Sequence, residues 1–150
     1  MDKVKFKTTD KVEIVGLFDS AGREKFAILL HMMPATKESW VPFIAKLGDA
    51  GYSSLAIDER GHGESTMGGK LDFMNFGDAD QQAKIRDVEA AFAFLKSKGA
   101  TEENTVVIGG SIGANLAIQY LSEHPEIKKA VALSPGLNYR GVDTEMPMHA

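Results

Sequence analysis

The chain has 150 residues, carries 17 Lys+Arg against 21 Asp+Glu for a net charge of −4, and contains no cysteine. That length suits one domain, 1–150, able to bury roughly 68–70% of its unfolded surface, and 43% hydrophobic with 25% charged residues excludes a disordered chain. The missing cysteines exclude disulfides, thiolate metal sites and a cysteine nucleophile. The acidic balance argues against nucleic acid, and neither a bilayer-length apolar run nor an apolar leader after Met1 is visible, so a cytoplasmic protein off the membrane is expected.

Lys3 to Thr8 alternates polar and apolar residues, the pattern of a half-buried strand. A turn at Thr9-Asp10-Lys11 leads to an antiparallel partner, Val12 to Phe18. Phe26 to Leu30 is apolar throughout, which suits a strand covered on both faces of a parallel sheet. Trp40, Phe43, Ile44 and Leu47 then fall on one helical face, with Ser39 as N-cap, Pro42 in the first turn and Gly51 as the C-terminal stop. Ser53 to Ile57 is a second buried strand. Gly61 to Gly77 carries no periodicity and reads as loop. Ile85, Val88, Phe92 and Leu95 mark a helix with Asp78 or Asp80 available as cap and Gly99 as stop. Thr105 to Ile108 is a third strand, a helix runs from about Ile112 to His124-Pro125, and Ala130 to Leu133 is a fourth strand. Strand–helix–strand units after an N-terminal hairpin predict an α/β fold, mostly parallel, with helices on both faces.

Between the third strand and the helix after it lies G-x-S-x-G, as Gly109, Gly110, Ser111, Ile112 and Gly113. A sharp strand-to-helix turn would expose the Ser111 hydroxyl above the sheet, and the Ile112 N–H at the helix start would face a developing oxyanion. The bland alternative is a tight turn whose glycines serve packing alone. A dinucleotide fingerprint is rejected because Ser111 occupies the place of its second glycine and Ser134, not an acidic residue, ends the next strand. Phosphate binding at the helix start lacks the P-loop lysine. No cofactor and no metal site is expected.

Three blocks together resemble the α/β-hydrolase superfamily, especially its dienelactone-hydrolase-like and carboxylesterase members. They are Leu29-Leu30-His31-Met32-Met33-Pro34 with Trp40, Ala56-Ile57-Asp58-Glu59-Arg60-Gly61-His62-Gly63-Glu64-Ser65, and the Ser111 turn. The resemblance implies a serine hydrolase of carboxylic esters, with Ser111 as nucleophile. It implies a second oxyanion N–H from Met33; Met32 stands where the family has glycine, which leaves Met32 as the alternative donor. His31 is then a buried loop anchor, and Asp58, Arg60 and His62 read as structural. Met32, Met33, Met67 and Met74 suggest an adaptable apolar acyl pocket.

The family orders its triad Ser, then Asp or Glu, then His. At roughly 30 residues per strand–helix–strand unit, too few residues follow Ser111 for the usual acid and histidine. His149 has the right chain order, with Asp143 or Glu145 as acid, but sits next to the chain end. The resemblance therefore implies a C-terminally incomplete domain whose last strand forms an open sheet edge. Such an edge would take a second copy or a C-terminal fragment as partner. The competing reading is an inactive chain with a binding or assembly role.

Overall fold

The structure, a computed structural model, describes residues 1–21 and 24–144. Strands β1 (Asp2–Lys7) and β2 (Glu13–Asp19) pair antiparallel across the Thr9–Lys11 turn. β2 in turn lies antiparallel to β4 (Tyr52–Ile57), and β4 lies parallel to β3 (Lys25–Leu30). β5 (Thr105–Gly110) and β6 (Lys129–Leu133) extend the parallel part, giving the order β1-β2-β4-β3-β5-β6. β6 is the last strand on its side among the described residues.

Alternation along the central strands sorts the core into two layers. Ala27, Leu29, Ala56, Val106 and Ile108 pack on one face with Ile44 and Leu47 of helix α1 (Val41–Asp49). Ile28, Leu30, Leu55, Ile57 and Val107 pack on the other, against α3 (Ile85–Lys96) and α4 (Ile112–Glu123). Apolar residues at consecutive strand positions are thus all buried, because both faces of the parallel sheet are covered. The α/β expectation, with its N-terminal hairpin, holds.

Three local expectations need correction. Ser39 does not cap α1; it lies in a 3-10 turn, Lys37–Trp40, where its hydroxyl donates to the Thr36 carbonyl at 2.8 Å. Phe43 stays partly exposed beside Trp40, so the buried stripe of α1 is narrower than the periodicity suggests. The helix expected from Asp78 or Asp80 is two pieces, α2 (Asp78–Gln82) and α3, with Gly77 as the N-cap of α2. Between them the bonds shorten to i→i−3: Lys84 N–H to Gln81 O, Arg86 N–H to Ala83 O and Asp87 N–H to Lys84 O. A small hairpin, β7 (Asn138–Tyr139) and β8 (Val142–Asp143), follows β6 and was not foreseen.

Candidate active site

Ser111 sits at the junction of β5 and α4 with φ 53° and ψ −118°, a backbone conformation that costs a non-glycine residue about 1–3 kcal/mol. Its surroundings hold it there. The Ser111 N–H donates to Leu133 O at 2.9 Å, and its carbonyl accepts from Ala114 and Asn115 N–H at 2.9 and 3.2 Å. The flanking glycines are steric necessities. A Cβ on Gly109 would overlap the Gly113 carbonyl, and one on Gly113 would overlap the Leu30 carbonyl, so the elbow closes only without those side chains.

The N-terminal end of α4 presents the Ile112 N–H, which no described backbone carbonyl takes up. The Ile112 side chain is fully buried beneath it, fixing the turn from below. Above Ser111 opens a cleft of about 450 Å³. It is lined by Gly110, Leu133 and Ser134 together with His31, Met32, Ser39 and Trp40.

The loop after β3 is tied down by His31, which is 1% exposed. Its Nε2 accepts the Glu59 N–H at 3.0 Å, so its proton resides on Nδ1, which donates to Met32 O at 2.8 Å. Ala35 N–H donates to that same carbonyl at 2.8 Å. With Met32 O held twice, the trans peptide directs the Met33 N–H to the opposite side, and no described backbone carbonyl receives it. The Met32 side chain lines the Ser111 cleft, whereas Met33 lines a separate hollow with Asn138, Tyr139 and Arg140. Met67 lies against the Glu13 N–H and Met74 points to solvent, so of the four methionines expected in an acyl pocket only Met32 lines the cleft.

Below the cleft lies a buried set of charges that periodicity could not reveal. Glu59 and Lys84, both fully buried, approach to 3.5 Å, and Glu59 Oε2 is 3.3 Å from His31 Nδ1. Lys84 Nζ donates to His62 Nε2 at 3.0 Å, while the His62 ring stacks on Phe73. Burial, reinforced by the Lys84 ammonium and by His31, drives the His62 imidazole down to about 2, so it stays neutral. Asp58 pairs with buried Lys37 at 2.7 Å, and Arg60 bonds Asp87 through Nε at 2.8 Å and Asp10 through Nη1 at 2.7 Å. Asp58, Arg60 and His62 therefore brace the loop after β4, and their partners Lys37, Lys84 and Asp87 were missed. Their signal is slight: Lys84 and Asp87 fall among the apolar positions of their helical stretch.

Neither His31 nor His62 offers a free basic nitrogen to Ser111: both His31 ring nitrogens and His62 Nε2 are engaged, and Nδ1 of His62 is buried. His124 caps α4 at its far end, roughly 18 Å away along a helix of that length. There Glu89, Glu123 and His124 bring ligand atoms within 4.8 Å of one another, remote from Ser111. Asp143 lies on β8, and His149 and Glu145 fall outside the described residues. No helix among the described residues is long and apolar enough to cross a membrane.

The family profile described as serine aminopeptidase, S33, matches residues 24–148. The chain is an α/β hydrolase of the serine aminopeptidase S33 family. Among individual proteins, the chain is 27% identical over 130 residues to the non-haem chloroperoxidase CPO-A1 of Kitasatospora aureofaciens, matching 85% of the chain and 42% of that relative. It superposes on the Pyrococcus furiosus esterase Pf2001 with a TM-score of 0.75 and 33% identity, over 89% of the chain and 51% of the esterase. The fungal α/β hydrolase GrgF from a Penicillium shares the fold alone, with a TM-score of 0.74, 23% identity, and coverage of 89% and 45%. The chain thus spans about half, or less, of the length of these relatives.

Proposed function

We propose that the chain carries the nucleophile and oxyanion half of a serine esterase site within one α/β-hydrolase domain. Ser111 Oγ attacks the carbonyl carbon of a carboxylic ester, giving up its proton to a histidine base. The carbonyl π pair moves onto oxygen, and the oxyanion is received by the N–H groups of Ile112 and Met33. Collapse expels the alcohol, which recovers the proton, and leaves an acyl group on Ser111. Water then attacks that acyl group, releasing the acid and restoring the hydroxyl. The single observation that carries the reading is the strained Ser111 backbone at the mouth of an apolar cleft, directly before an untaken helix N-terminus. The esterase of Pyrococcus furiosus supports the substrate class.

By chain order His149, after Asp143 or Glu145, is the candidate this chain itself offers for that base; the alternative is a base supplied from outside this chain. A second reading, a chain that binds without turning over, is favoured by the engagement of both His31 ring nitrogens. As partner, the exposed Val131 and Leu133 on the outermost strand β6 favour a second copy or a complementary C-terminal segment of the family. The test is intact mass before and after a fluorophosphonate. One adduct, mapped to Ser111 and lost in Ser111→Ala, is the expected result. A folded chain that takes no adduct would overturn the esterase reading in favour of the binding one.

A further inference from the structure

We propose that Asn115 is a positioning residue that fixes one wall of the Ser111 cleft and thereby limits the acyl chain the cleft accepts; this rests on reading Ser111 as the nucleophile. Asn115 lies four residues after Ser111 on α4, and its side chain is fully buried. Its neighbours on the helix are apolar: Ala114, Leu116 and Ala117 are buried with it. A polar amide in that setting stays only when both its ends are bonded. Its Oδ1 accepts the Gly136 N–H at 2.9 Å and its Nδ2 donates to Val142 O at 2.8 Å.

Those two bonds grip residues 136–142 near both ends. One turn along α4, Gln119 Nε2 donates to Asp143 O at 3.0 Å. The segment is also closed on itself, because the Thr144 hydroxyl donates to Gly136 O and the Thr144 N–H to Leu137 O. It begins beside Leu133 and Ser134, which line the Ser111 cleft, and Asn138 to Arg140 border the hollow that holds Met33. One pinned segment therefore continues directly from the Leu133–Ser134 wall of the cleft and borders the hollow beside Met33. The Asn115 N–H donates to the Ser111 carbonyl, so clamp and nucleophile share one helical turn.

Removing the amide leaves the half-buried Gly136 N–H and the buried Val142 carbonyl without these partners, which the segment relieves by moving outward to water. The cleft then lengthens. The experiment compares Asn115→Ala with the wild-type chain and with Val88→Ala, a buried core change on α3 that lowers Tm but removes neither hydrogen bond to the segment. Two ratios are read: kcat/KM for p-nitrophenyl octanoate over acetate, and affinity for 2-decanone over 2-hexanone by fluorescence of Trp40, the chain's one tryptophan and a cleft residue. Asn115→Ala is expected to raise the ketone ratio, and the ester ratio with it, at least fivefold. A smaller rise in the ketone ratio, or an equal rise in Val88→Ala, overturns the proposal. If Asn115→Ala does not fold, Gln119→Ala replaces it, with a rise of at least twofold expected and none overturning. The ketone ratio decides the wall and the ester rates decide the nucleophile, so either reading can fall without the other.

Discussion

At the scale of single residues, the proposed esterase site makes the strain at Ser111 and the tautomer of His31 parts of one device. The elbow fixes where the hydroxyl stands, and His31 fixes the peptide that aims the Met33 N–H. An asparagine at position 31 places its amide nitrogen near the site of Nδ1, whereas a glutamine places it nearer the site of Nε2. His31→Asn is therefore expected to keep ester kcat near the wild-type value. His31→Gln should lose about 10²–10³ in kcat, the usual cost of one oxyanion donor, with KM little changed. Equal losses in both variants, measured by steady-state kinetics on folded protein, would sink this role. The Ser111 motif was readable because steric necessity writes glycine into the sequence at 109 and 113. The His31 tautomer was not, since it depends on a backbone N–H 28 residues away at Glu59.

At the scale of elements, the central strands β3, β4 and β5 were legible because both faces of the sheet demand buried residues in unbroken runs, and β1 because its half-buried position leaves a period-two alternation. Errors gathered at helix starts. There Ser39 and the Asp78–Asp80 cluster offered plausible caps, while buried Lys37 and Lys84, on the turns before α1 and α3, were drawn inward by Asp58 and Glu59. The β7–β8 hairpin has two residues per strand, too short for any alternation to register. The outer strand carries its own prediction. If β6 pairs with a second copy, the wild-type chain scatters light as a dimer, and Val131→Lys, which puts a charge on that edge, returns it to a monomer. A wild-type monomer at high concentration would remove the pairing.

At the scale of the whole molecule, buried ionisable groups set how stability responds to acid. His62 is held neutral, far below its ordinary 6.5, so unfolding lets it take a proton that the fold refuses. As far as His62 is concerned, stability is complete above 6.5 and declines as pH falls below it. Hydrogen bonding from Arg60, opposed by burial and aided by Thr8 and Arg86, holds the Asp10 carboxyl well below its ordinary 3.8. Its contribution is complete above 3.8 and is lost only below that pH. Melting temperature against pH should therefore fall in two limbs. His62→Gln, which keeps an acceptor for Lys84 and cannot take up a proton, should flatten the upper limb alone; an unchanged slope between pH 6.5 and 4.5 would refute the assignment.

The Glu59–Lys84 contact also bears on how this sequence can change over generations. Removing either partner alone strands the other charge in the interior, at a cost of about 3–5 kcal/mol, comparable with the entire margin of a small fold. Exchanging both for apolar residues of similar size strands neither. Glu59→Gln or Lys84→Met alone should thus be far more damaging to the Tm than the two together, an interaction that a double-mutant cycle reads directly. The two positions, 25 residues apart in a loop and at a helix start, are therefore expected to change together rather than singly.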